Sequence, residues 1–80
     1  MNLRIAILQV LLDADLRGTT FAVMTPHVQA QAVGEVWTRG EIERELIKCS
    51  AEGLVAAQVD KLQQTNRYFI TTQGQVALAR

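Results

Sequence analysis

Eighty residues with 49% hydrophobic content leave room for one small core, and with four aromatics that core must be mainly Leu, Ile, Val and Ala. Eight basic and eight acidic residues cancel, which argues against a dedicated non-specific polyanion binder unless the charge is polarised on one face or doubled by dimerisation. A lone cysteine, Cys49, excludes an intrachain disulfide and fits a reduced, cytoplasmic setting, and no apolar run reaches the length of a membrane span.

Residues 2–16 read as the first helix, with Asn2 as N-cap. Leu3, Ile7, Val10, Leu11 and Ala14 share one face, and Ile5, Leu8 and Leu12 widen it around most of the circumference. Such a helix is central in a core or shared with a second copy. Arg4 interrupts the apolar run and Asp13 and Asp15 follow it, so a signal peptide is not expected. The helical pattern opens directly after Met1, from which a complete chain is expected. Gly18 ends the helix.

Residues 19–24 are β-prone. Thr25-Pro26 suits a helix start, giving a short helix from His27 to Val33 that Gly34 closes; a strand over the same segment is the rival reading. Thr38 with Glu41 forms a capping box, followed by the apolar stripe Ile42, Leu46 and Cys49. Ser50 then caps a further helix over 51–64, with Val55, Val59 and Leu62 as its stripe. Arg67 to Thr71 alternates as a strand, and Thr72 caps a closing helix over 73–79 with Val76, Leu78 and Ala79 turned inward.

Two helices with a tight turn at Lys48–Ser50, then Arg67-Tyr68-Phe69-Ile70-Thr71-Thr72-Gln73-Gly74, resemble the end of a winged helix-turn-helix domain of the MarR and PadR type. The resemblance covers residues 38–79. It implies a mainly α fold with a small β component: a helix-turn-helix at about 38–64, a short wing at about 66–71 and a closing helix at about 72–79, in one domain over 1–80. Three features depart from the pattern. The turn lacks a small residue near its start; no incoming wing strand is evident, so the wing is very short or its hairpin partner comes from residues 19–24 or 36–38; and the recognition helix at 51–64 is poor in cations.

The resemblance implies a transcriptional regulator that binds DNA as a homodimer, with the first helix as the dimer surface. The helix at 51–64 would enter the major groove, with Gln58 reading adenine and Ala56 or Ala57 touching a thymine methyl. Arg39, Arg44, Lys48, Lys61 and Arg67 would contact phosphates. The neutral charge, with Glu52 and Asp60 on that helix, supports a different class of partner, a single protein bound by an adaptor that does not touch DNA. Enzyme function is not expected. His27 and Cys49 are each the only residue of their kind, too few for a metal site, and no phosphate-binding glycine loop is present, so no cofactor is expected. Glu41, Glu43 and Glu45 lie two apart on a helix, so neighbouring carboxylates point away from each other.

Overall fold

The computed structural model describes residues 2–62 and 64–79; Met1, Gln63, Arg80 and the Leu16 side chain lie outside the described set. In chain order the elements are helix α1 (Leu3–Ala14), a single 3-10 turn (Asp15–Arg17), strand β1 (Thr19–Thr20), helices α2 (Phe21–Ala30) and α3 (Arg39–Ala51), strands β2 (Val55–Asp60) and β3 (Thr65–Ile70), and helix α4 (Thr72–Ala79). The sheet is antiparallel in the order β1-β3-β2. The fold is a winged helix-turn-helix, mainly helical with a small sheet, as the sequence pattern implied.

Asn2 caps α1 by accepting from the Arg4 amide at 2.8 Å. Ala6, Ile7, Leu8, Val10 and Leu11 on this helix are all buried, and it touches α2, α3, α4 and β3. Met24 and Val28 from α2, Trp37 from the following loop, Ile42, Leu46 and Cys49 from α3, and Val55 from β2 complete the core. The apolar circumference that suggested a helix shared with a second copy is thus largely used within the chain. Ile5 is the large hydrophobic of α1 that stays exposed.

The segment after Gly18 differs from its reading. β1 is only two residues long, and α2 starts at once, with the Thr20 hydroxyl accepting from the Val23 amide. Thr25 is not the cap. It sits one turn inside α2, buried, and its hydroxyl donates to the Phe21 carbonyl at 2.6 Å. Pro26 is tolerated within the helix, and α2 ends near Ala30 rather than at Val33. β1 pairs with β3, Thr19 opposite Tyr68 and Thr20 opposite Arg67, so it closes the inner edge of the sheet.

The larger correction concerns residues 51–64. The chain forms no second helix there: α3 ends at Ala51, and β2 follows from Val55. Gly53 has a φ of +80°, the Gly53 amide donates to the Ser50 carbonyl, and the Leu54 amide donates to the Cys49 carbonyl at 2.9 Å. These two bonds satisfy the last carbonyls of α3 and turn the chain away, as a left-handed glycine after a helix does. The helix-turn-helix pair is therefore α2 and α3, joined through residues 31–38, and not two helices meeting at Lys48–Ser50. The missing wing strand is β2, in register with β3 from Val55 opposite Ile70 to Asp60 opposite Thr65. The wing is a full hairpin, not a remnant at 66–71.

α4 is fixed to the end of α3 by Thr71, rather than capped by Thr72. The Thr71 hydroxyl donates to the Gly53 carbonyl at 2.6 Å and accepts from the Gly74 amide at 3.0 Å, while the Thr71 amide donates to the Leu54 carbonyl. Ala77 and Leu78 pack on the core, but Val76 and Ala79 are exposed, contrary to their expected inward positions.

Gly74 lies so close to this corner that a Cβ there would collide with the Leu54 carbonyl and stand 2.7 Å from Ile70 Cγ1. Gly40, in the first turn of α3, has open space, with only Thr38 Oγ1 at 4.0 Å. Alanine is the better helix former by about 1 kcal/mol. In urea unfolding, Gly40→Ala should leave stability unchanged or raise it by a few tenths of a kcal/mol, whereas Gly74→Ala should lower it by about 1–3 kcal/mol because backbone must move.

Candidate nucleic-acid interface

α3 is specified by its ends and by its stripe. The Thr38 hydroxyl accepts from the Glu41 amide at 3.2 Å, and the Glu41 carboxylate accepts from the Thr38 amide at 3.2 Å, the reciprocal pair the sequence implied. The Thr38 amide and then the Thr38 hydroxyl, which donates to Glu41 Oε1 at 3.0 Å, hold the Glu41 carboxyl below its ordinary pKa. Ile42, Leu46 and Cys49 face inward. Burial raises the Cys49 thiol pKa, so the thiol stays protonated and serves as core.

A clamp from α1 sets the position of α3. Arg4 Nε donates to Glu45 Oε1 at 2.9 Å, and its two terminal nitrogens donate to Glu52 Oε1 and Oε2 at 3.1 and 2.6 Å. Glu52 and Glu45 hold the guanidinium charge in place, pushing its pKa further up. One side chain thereby grips α3 at mid-length and at its C-cap.

The face of α3 opposite the core stripe is exposed. Gly40, Arg44, Ile47 and Ala51 follow one another along it at helical spacing, with Glu43 and Lys48 on its flanks. Arg39 stands at the start of the helix, its guanidinium carbon 5.5 Å from the Phe21 ring centroid, a cation–π distance. Arg44 Nε reaches the Gly40 carbonyl at 3.4 Å, and Lys48 is exposed in the last turn.

The other predicted site residues sit on the wing. Gln58 is exposed on β2, opposite Arg67 in register, so it is a strand residue and not part of a recognition helix. Ala56 and Ala57 are likewise exposed strand residues. Lys61 is exposed in the turn, where Asp60 Oδ1 accepts from the Leu62 amide at 3.1 Å. Arg67 is held within the fold: Nη1 donates to the Arg17 carbonyl at 3.1 Å, and Nη2 lies 3.5 Å from Asp60 Oδ2. Its first role is to tie the wing to the 3-10 turn that follows α1.

The structure thus gathers Arg39, Arg44 and Lys48 on one helix and sets Gln58, Lys61 and Arg67 on the hairpin beside it. Sequence reasoning missed Glu43 and Ile47, which lie on the outward side of α3. The signal for them was present, since Thr38 and Gly53 bracket the helix and leave everything off the Ile42–Leu46–Cys49 stripe pointing out. Among the described residues, no group of three His, Cys, Asp or Glu side chains is placed to hold a metal ion. No described helix is long and apolar enough to cross a membrane.

The fold is similar to those of solved transcription regulators, MarR-family regulators among them. A MarR-family regulator from Silicibacter pomeroyi superposes with a TM-score of 0.79 at 23% identity, over 98% of this chain and 47% of that one. A MepR mutant from S. aureus gives 0.79 at 18% identity, over 99% and 53%. The transcriptional regulator TA0346, described as putative and from Thermoplasma acidophilum, gives 0.75 at 22% identity, over 96% and 73%. The chain spans about half the length of the first two regulators. No protein-family model and no curated relative matches the sequence.

The clamp makes a measurable difference between its two arms. Arg4→Ala should lower stability by about 1–2 kcal/mol. In a double-mutant cycle, the coupling of Arg4 to half-buried Glu45 should exceed its coupling to Glu52, which is about half exposed and expected to contribute under about 1 kcal/mol.

Proposed function

We propose that this chain is a DNA-binding transcriptional regulator that presents α3 to the major groove and the β2–β3 wing to the adjacent backbone. The observation that carries this reading is the exposed face of α3, which bears Arg39, Arg44 and Lys48 outside a core stripe, in a fold matched by solved transcription regulators. The chain's zero net charge is less adverse than it looks. Arg4 is shared by Glu45 and Glu52 and offsets one of their two charges, and Asp60 is close to Arg67. On the outer surface of α3 and the wing turn, Arg39, Arg44, Lys48 and Lys61 then outnumber Glu41 and Glu43.

In this reading Arg39, Arg44, Lys48 and Lys61 contact phosphates or bases, Arg67 supports the wing, and Gln58 lies beside the backbone rather than on an adenine. A homodimer would double the small cation set. Because α1 has little apolar surface left beyond Ile5, the dimer needs its own measurement. An adaptor that binds a single protein is the second reading, favoured by Leu62, 97% exposed at the wing turn, and Val59, 69% exposed on β2.

Salt titration separates these readings. For DNA binding, the logarithm of the association constant should fall with the logarithm of salt concentration with a slope of about −3 to −4 for one chain, and about twice that for a pair. Arg44→Ala with Lys48→Ala should flatten the slope by about 2. Absence of binding at low salt would discard the regulator reading, and a flat salt response would discard phosphate contact by these side chains.

A further inference from the structure

We propose that Ile47 is a base-discriminating residue of α3, packing on the C5-methyl group of a thymine in the major groove; the proposal rests on the reading of α3 as the DNA-contacting helix. Ile47 is 60% exposed on the outward face, between Arg44 and Ala51 in the same row and next to Lys48. It is the largest apolar side chain exposed on α3. It projects away from the stripe that joins the core.

The chemistry of the groove narrows what this side chain can meet. Base edges there present hydrogen-bond donors and acceptors and a single apolar group, the thymine methyl. An isoleucine pressed against a donor or acceptor strips its water and returns no hydrogen bond, a net cost. Pressed against a thymine methyl, it removes apolar surface from water on both sides. A β-branched side chain in a helix holds essentially one rotamer, so little side-chain freedom is lost on contact. The flanking cations supply the attraction that brings the helix close. Arg44 and Lys48 complement phosphate or guanine, and neither can be satisfied by an apolar partner. Gly40 and Ala51, the other members of the row, have no side-chain donor or acceptor to offer a base. Discrimination along the row therefore falls mainly to Arg44 and Ile47; Ala51, the last residue of α3, offers a methyl contact of smaller area than Ile47.

The test uses the whole chain and random-sequence duplexes selected for binding to it. Selected duplexes are resynthesised with deoxyuridine in place of each thymidine in turn, which removes only the methyl group. At one thymine position per bound chain, affinity should fall about fourfold, the effect expected for one buried methyl. The Ile47→Ala variant, whose exposed position makes normal folding the expectation and whose circular dichroism checks it, should bind thymine and uracil duplexes equally. Equal binding of all uracil duplexes by the unaltered chain, or a uracil penalty that persists in Ile47→Ala, overturns the assignment while leaving DNA binding intact. Failure to select any duplex at low salt overturns the DNA reading and this assignment together.

Discussion

Helix α1 is surrounded by the rest of the chain, and one of its side chains, Arg4, bridges out of the core to Glu45 and Glu52 on α3. The apolar contacts of Ile7, Leu8 and Leu11 set how closely the helices approach, but they are not directional. The guanidinium is directional. Its paired bonds to Glu52 and its third bond to Glu45 fix α3 along its axis as well as against the core. Gly53 then turns the chain, Thr71 binds the turn from the far side, and Arg67 ties the hairpin to the 3-10 turn after α1. The exposed face of α3 and the wing are held in one frame by these few polar contacts around an aliphatic core.

The same contacts reshape the electrostatics. A count of charges treats Glu45, Glu52 and Asp60 as repelling a polyanion. Their positions show them occupied by Arg4 and Arg67, which lie inside the frame or at its edge. What faces outward from α3 is a row of Gly40, Arg44, Ile47 and Ala51, flanked by Lys48 and Glu43, with the isoleucine as its large apolar member. Neutral composition and a locally cationic patch are compatible because Arg4 and Arg67 offset two of the three charges of Glu45, Glu52 and Asp60, while Arg39, Arg44, Lys48 and Lys61 stay exposed.

Parts of this organisation were legible in the residues and parts were not. The Asn2 cap, the apolar first helix, the Thr38–Glu41 box and the Ile42–Leu46–Cys49 stripe depend on neighbours within a few residues and formed as read, except that α1 ends at Ala14 and Gly18 closes the 3-10 turn after it. β2 was read as helix because Val55, Val59 and Leu62 recur at helical spacing between alanines. Its strand state comes from pairing with β3, a contact set elsewhere in the chain. It also lacks the alternation that marks a half-buried strand, since Ala56 to Val59 are all exposed on a projecting hairpin. Gly53 was the local clue that outweighed the periodicity. Pro26 misled in the same way: its preference for a first helical turn was overridden by the Thr20 cap and by the burial of Met24 and Val28. For the candidate site, Arg39, Arg44, Lys48 and Lys61 are exposed while Arg67 is held within the fold, and the helix that carries the outward face was displaced by one element, which hid Glu43 and Ile47.

The central claim is that α3, not the segment after it, presents the recognition surface. Backbone amide NMR of the whole chain titrated with a bound duplex tests it directly. Perturbations concentrated in α3 and around the wing turn, with the amides of α4 and the inner half of α1 unmoved, are the predicted result. Perturbations centred on α4 or on the exposed part of α1, with α3 unmoved, would contradict the account.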